Sequence, residues 1–467
     1  MTSEADVGLR PFTILAPTAI LGYGFPEESF LEGLSYAPDC IAVDAGSIDP
    51  GPYYLGSGKS FTDRAGVRRD LRLILREAVH RRIPVIIGSA GGSGSRAHVA
   101  WCREIVQEIV QELGLSFRLG VIKSDIEPET VLQALREGRL TPLGGVPELT
   151  PERLRRTPRI VAQMGVEPIM DALEEGCNVI LAGRAYDPAP FAAPAILRGY
   201  DPGPALHLGK ILECAAIAAE PGSGADCALG RLYPDRFELV PLGCGRRFTE
   251  TSVAAHTLYE KHDPAHLPGP GGSLDLSGAS FEETGEGRVT VRGSRFVPAA
   301  DHTLKLEGAM RVGFRTVCVA GARDPVFVAR VDALVEEVVR AVRHFREAEG
   351  IPGKLHVHVY GRDGVMGPRE PLRHLPGQPH PHEVGLVLDA VAETQAAANT
   401  LCSLARSTLL HLGFPGRLST AGNLAFPFSP SDLPAGPVYE FSVHHLLHTG
   451  PRQPFALHIE DVGGPPA

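Results

Sequence analysis

Between residues 40 and 123 the chain repeats one alternation: a short apolar, β-prone run, then a longer stretch of helical period. Cys40–Asp44 (CIAVD) is apolar up to its last residue, the pattern of a strand covered on both faces. Gly66–Arg82 follows, with Val67, Leu71, Ile74, Leu75 and Ala78 on one stripe and arginines opposite. Ile83–Gly88 is the next strand. Ser95–Leu113 is a helix with Val99, Cys102, Ile105, Val106, Ile109 and Val110 on one side, stopped by Gly114. Phe117–Lys123 is a third strand. Such alternation predicts βαβ units around a parallel sheet, a Rossmann-like α/β core. It resumes with a helix over 167–175 and a strand over 178–182, and again with a strand over 315–320 and a helix over 325–346.

Other segments break the pattern. Residues 230–300 are rich in Gly, Pro and alternating strand-like pieces, and predict a β-containing second lobe or insertion. Residues 361–381 have the composition of a loop and linker. A helix over 395–411 and a strand-like tail through Ile459 predict a small C-terminal α+β domain. The expected organisation is a core over 1–375 and an appendage over 385–467; 467 residues are too many for one compact core.

Composition excludes several classes. The chain is 43% hydrophobic and 21% charged, which is ordinary for a globular protein. Its net charge of −10 and the lack of any Lys/Arg run argue against nucleic-acid binding. The N-terminal MTSEADVGLRPF is acidic and unlike a signal peptide, and no apolar window is long enough to span a membrane. The eight cysteines stand singly, with no C-x-x-C pair, as expected of buried thiols in a reducing, cytoplasmic setting.

Ligands of open parallel sheets bind beyond the carboxyl ends of the strands, so the loops there are the candidate sites. The loop from Asp44 to Asp63 offers Asp44 and Asp49 as acid/base carboxylates, with Ser57 and Lys59 as a hydroxyl and a cation. Its GSGKS resembles the end of a P-loop, but Gly51 and Gly58 are too far apart for that motif. The turn Ser89, Gly91, Gly92, Ser93, Gly94 opens a helix and is a candidate for binding a phosphate or carboxylate. Two later loops resemble each other: Gly183-Arg184-Ala-Tyr-Asp187-Pro188 and Gly321-Ala-Arg323-Asp324-Pro325. Asp-Pro is a helix opening, with Asp as N-cap. The arginines are free to bind a substrate carboxylate. His256 and Glu260 add a candidate acid or base. Lys305 and Glu307 share one face of a presumed strand, as do His356 and His358, whose spacing suits a metal but is more often plain sheet.

Several long strings identify a family resemblance: MGVEPIMDALEEGCNVILAGRAYDP, SVAAHTLYEK, VRGSRF, KLEGAMRVGFRTVCVAGARDP and VYGRDGVMGP. Together they resemble the acyclic terpene utilization AtuA-like family over about residues 10–370. The tail from Thr394 is similar to a small AtuA-related domain that elsewhere is a separate chain. Its Arg-Ser-Lys-Asn-Ala-Gly-like motif is replaced here by Arg406-Ser407-Thr408-Leu409-Leu410. The resemblance implies breakdown of branched acyclic terpenoids and small carboxylic acids, usually as CoA thioesters. The expectation is therefore a lyase- or hydratase-type enzyme acting on a small hydroxy acid or acyl-CoA. Asp44 or Asp49 would be the base, His256 or Glu260 the acid, and Lys59, Arg184 and Arg323 the oxyanion binders, with Asp187 and Asp324 beside them. An amide or ester hydrolase and a non-catalytic binding subunit stay open, as does a bound metal; no metal ligand is assigned. The expected partners are a small-molecule substrate and further copies of the chain.

Overall fold

In a computed structural model of the chain, residues 10–243, 245–259, 263–371, 381–418, 420–450 and 454–464 are described. They form two compact units, one made of residues up to 310 together with 441 onward, the other of residues 311–440. These limits do not coincide with the expected division near residues 375–385. The chain leaves the first unit within the strand Thr303–Ala322 and returns within Asp432–His448.

The first unit is built on a ten-stranded mixed sheet. Its strands, in chain order, begin with β1 (Phe12–Ala16), β2 (Cys40–Asp44), β3 (Val85–Gly88) and β4 (Phe117–Lys123). The short β5 (Leu140–Pro142) and β6 (Arg159–Ala162) lie off this sheet, and β7 (Val179–Ala182), β8 (Ala228–Leu232) and β9 (Arg236–Pro241) return to it. The central order β1-β2-β3-β7-β4 is parallel throughout. Helices cover both faces. Phe30, Leu71, Ile74 and Ile105, from the helices Glu27–Ser35, Arg64–Arg81 and Arg96–Leu113, pack with Ile41, Val43, Ile87 and Leu181. Ile169, Phe191 and Leu208, from Glu167–Glu174, Ala189–Leu197 and Pro202–Leu212, pack on Cys40, Ala42, Ile86 and Ile180. Burial on both faces is why these strands read as continuous apolar runs.

The stretch expected to be a β-containing second lobe or insertion mostly extends this sheet. The strands β8, β9, Arg288–Arg292 and Ser280–Gly285 add to it in antiparallel order beyond β1. What stands apart is a three-stranded sheet of His266–Gly269, Gly272–Asp275 and Arg295–Pro298. The opposite edge is closed by Ala456–Val462, antiparallel to β4.

In the second unit, Gly353–Tyr360 and the residues 314–322 flank Val384–Ala392, all antiparallel. The helices Val331–Ala348 and Gln395–His411 cover one face, with Val338, Val342, Leu401 and Cys402 against Leu386, Leu388 and Ala390. Seven cysteines are described and all are free thiols; Cys244 lies outside the described residues. No described helix is long and apolar enough to cross a membrane.

Candidate functional site

At the carboxyl ends of β3 and β7 the chain departs to opposite faces of the sheet, from β3 to the helix Arg96–Leu113 and from β7 to Ala189–Leu197. In parallel sheets such a reversal is the place beside which ligands bind. Register brings the loops to one level, because Asp44 faces Gly88 across β2 and β3, and Ile87 faces Leu181 across β3 and β7. The loops are stitched together by Ser89 N–H to the Gly183 carbonyl at 3.1 Å and Ala90 N–H to the Ala182 carbonyl at 2.9 Å. Ser124, just beyond β4, donates its hydroxyl to the Gly94 carbonyl and accepts from the Arg184 N–H. A Cβ at Gly94 would lie 2.1 Å from the Arg184 nitrogen, so only glycine lets the two backbones approach this closely.

Arg184 is the hub. Its Nε donates to Glu307 Oε2 at 2.8 Å, and its Nη1 to Asp187 Oδ1 at 2.8 Å, to Ser89 Oγ at 3.2 Å and to the Ala185 carbonyl at 2.6 Å. Lys305, two residues before Glu307 and so on the same side of its strand, reaches Glu307 Oε1 at 2.9 Å. Burial alone would push the Glu307 carboxyl upward; the Arg184 and Lys305 cations outweigh it and hold the group below its usual range. Burial likewise opposes the Arg184 charge, and Glu307 and Asp187 more than restore it.

Asp44 behaves in the opposite way. It ends β2, is 7% exposed, and its Oδ1 has no hydrogen-bond partner among the described residues. Burial raises its pKa well above the ordinary value, the Asp187 carboxylate and Glu213 add to the shift, and Arg184 offsets part of it. Charge counting points the same way. Four carboxyl groups, Asp44, Asp187, Glu213 and Glu307, stand against three cations, Arg184, Lys210 and Lys305. The surplus carboxylate acts in the same direction as burial and favours the neutral form of Asp44.

The other flank of the cluster comes from the helix Pro202–Leu212, buried at every position after the first. Its Lys210 ammonium donates to Glu213 and lies 4.8 Å from the centre of the Tyr259 ring. The Tyr259 hydroxyl is 3.4 Å from Cys214 Sγ, and burial lifts that thiol to about 12. His256 stacks on Tyr259 with ring centres 4.7 Å apart. Burial, then the Lys210 charge, lowers its pKa to about 4, leaving a neutral imidazole. Its Nε2 finds no partner among the described residues.

Of the residues singled out in the sequence, Asp44, Ser89, Arg184, Asp187, His256, Lys305 and Glu307 thus belong to one cluster. Others lie elsewhere. Asp49 is exposed and its carboxylate accepts from Ser47. Ser57 closes a local turn at the end of a short helix, Pro52–Ser57, by accepting from the Lys59 N–H. Lys59 is exposed, and its carbonyl is held by the His98 ring. The turn Ser89–Gly94 is buried throughout, and its hydroxyls are already occupied: Ser89 serves Arg184, and Ser93 the Ser47 carbonyl. In the second unit, Asp324 caps a helix by accepting from the N–H groups of Val326 and Phe327, and Arg323 is exposed. His356 and His358 lie on the strand Gly353–Tyr360 with ring centres 5.9 Å apart. Among the described residues no group of three His, Cys, Asp or Glu is arranged to hold a metal. Glu260 lies outside the described residues. Lys210 and Glu213 carry no motif, and sequence reasoning missed their part in the cluster; Tyr259 stands in the sequence only as a neighbour of His256 in SVAAHTLYEK.

Residues 63–224 and 241–424, about three-quarters of the chain, match the sequence model described as acyclic terpene utilisation family protein AtuA. The chain belongs to the AtuA family. The matched stretches contain every described cluster residue except Asp44. No curated protein and no solved structure matches the chain, so the AtuA match is the finding that bears on its role.

Proposed function

We propose that this AtuA-family chain is an enzyme of branched-acid breakdown, acting on a small hydroxy acid or its acyl-CoA thioester. The reaction class is addition or removal of water, or cleavage of a carbon–carbon bond beside a carbonyl. The observation that carries this reading is Asp44: a buried carboxyl at the strand ends, where burial and the neighbouring carboxylates favour its neutral form, with one oxygen unused by the protein. Such a group is suited to give a proton to a departing hydroxyl, which leaves as water. The neutral His256, with an open Nε2, is suited to take a proton from the carbon next to the carbonyl. The two roles are then the reverse of those the sequence suggested, because burial acts in opposite directions on an acid and on an imidazole. Arg184 acts as a positioning residue, since Glu307, Asp187, Ser89 and a carbonyl already occupy it. A CoA group would enter as part of the substrate.

The test is a turnover screen over branched 3-hydroxy acids and their CoA thioesters, with loss or gain of water followed by mass spectrometry. Asp44→Asn keeps shape and neutrality but cannot donate the proton, and is expected to cut turnover by about 10²–10⁴-fold. Unchanged turnover in that variant would sink the assignment. Thermal stabilisation by these compounds with no turnover of any of them would instead identify a binding subunit.

A further inference from the structure

Taking a proton from the carbon beside a carbonyl puts negative charge on the carbonyl oxygen, which an enzyme meets with a preorganised donor. The cations expected from sequence to do this are poorly suited to it. Lys59 and Arg323 are exposed, and Arg184 is occupied by Glu307, Asp187, Ser89 and a carbonyl. Lys210 has the right properties. Its side chain is 4% exposed, and of its three N–H donors Glu213 takes one, the single hydrogen-bond acceptor of this ammonium among the described residues. Burial opposes its charge, and Glu213 above all restores it. Two glycines show where it stands. A Cβ at Gly209, its neighbour, would lie 2.6 Å from the Pro188 carbonyl, so this helix rests directly on the end of the Arg184–Asp187 loop. A Cβ at Gly88 would lie 2.5 Å from Pro190 and 3.4 Å from Asp44 Oδ1, so the unused oxygen of Asp44 is on the sheet face that these helices cover. His256 stacks on the same Tyr259 ring that lies against the ammonium. Three buried groups with hydrogen-bonding capacity to spare thus gather on one face: Asp44 Oδ1, His256 Nε2 and the Lys210 ammonium.

We propose that Lys210 is a catalytic residue, whose ammonium binds the carbonyl oxygen of the substrate and holds the negative charge that develops there. This rests on the reading of Asp44 and His256 as acid and base, and supplies the third group that reading needs. His256 Nε2 takes the proton from the carbon beside the carbonyl. The C–H electron pair forms a double bond to the carbonyl carbon, and the carbonyl π pair moves onto the oxygen, against Lys210. As the carbonyl re-forms, the electrons make a double bond to the next carbon and expel its hydroxyl, which takes the Asp44 proton and leaves as water. His256 is then protonated and Asp44 ionised, and passage of one proton between them through solvent resets both. Lys210 keeps its protons throughout.

Deuterium exchange isolates this role, because it needs the base and the oxygen-binding cation but no departing hydroxyl. The full chain is expected to exchange the hydrogens beside the carbonyl of butanoyl-CoA in heavy water, read by mass spectrometry. Lys210→Met combined with Glu213→Leu removes both charges, so that neither is stranded. The pair should exchange about 10²–10³-fold more slowly, with KM little changed, since the contact strengthens only as charge develops. Lys210→Arg should recover most of the loss. A second measurement needs no variant: the carbonyl stretch of bound butanoyl-CoA, in infrared difference spectra, should fall below that of the free thioester. No exchange by the parent, an unshifted carbonyl, or a folded double variant exchanging as fast as the parent would overturn the proposal. The two readings fail separately. If Asp44→Asn keeps turnover while exchange depends on Lys210, only the acid assignment is lost. If Asp44→Asn abolishes turnover while exchange is indifferent to Lys210, only the role of the lysine is lost.

Discussion

Two loops of this chain are spelled almost alike and do different work. Gly183–Pro188 and Gly321–Pro325 both follow an apolar strand, both carry an arginine and then Asp-Pro, and both precede a helix. In the second, the aspartate spends its carboxylate on two helix N–H groups, and Arg323 stays in solvent. In the first, the helix begins with no side-chain cap and the aspartate turns to its own arginine instead. The difference is in what surrounds the arginine. Arg184 finds a buried Glu307 and a serine fixed by a neighbouring loop, whereas Arg323 has no acid partner among the described residues. A motif thus sets what a loop is able to do, and the buried charges around it decide what it does.

Substitutions can break or sharpen that contrast. The largest effect is expected for Arg184→Met, which takes the cation from Asp187 and leaves buried Glu307 with Lys305 alone; loss of one partner from a buried pair costs about 3–5 kcal/mol. Denaturant unfolding of the full chain reads this directly. Asp44 gives a pH signature next. Its folded-state pKa is raised, so the stability it contributes is complete below its unfolded value, near pH 4, and is lost as pH rises through the folded one. Asp44→Asn removes that loss. The variant should gain stability relative to the parent as pH is raised from about 4 to 8, seen as a Tm difference that widens with pH. A flat difference would mean the carboxyl ionises freely. Asp324→Ala removes a cap and should cost about 1 kcal/mol in the second unit, with no effect on turnover. Arg323→Met is the smallest, within about 0.5 kcal/mol; a loss comparable to that of Arg184→Met would erase the distinction between the loops.

Much of the scaffold was legible in the sequence because both faces of the parallel strands are buried. Cys40–Asp44, Phe117–Lys123 and Gln395–His411 have the predicted ends, since apolar runs closed by Asp, Gly or a capping Thr leave little choice. Asp44 and Arg184 could be found as polar residues at strand ends. Lys210 and Glu213 could not, because one lysine and one glutamate on an apolar helix look like the solvated side of an amphipathic one. The available signal was the rest of that helix, PGPALHLGKIL, which is apolar almost all round and so leaves no solvated side. Asp49 and Lys59 misled for the converse reason. Gly- and Ser-rich loops collect polar groups for turns as readily as for chemistry, and here the loop is organised by its own hydroxyls and by His98.

The strand Ala456–Val462 gives the molecule a timetable. Its partner is β4, which is synthesised more than three hundred residues earlier. A growing chain can gather the parallel strands and even complete the intervening unit of residues 311–440 while one edge of the large sheet waits, open, for a strand not yet made. Glu460, which grips Arg103, arrives with that strand. During that interval the exposed border of β4 is the place where a wrong strand, from a neighbouring nascent chain, can attach. The vulnerable moment in the life of this protein is therefore its emergence from the ribosome, and the arrival of Ala456–Val462 ends it.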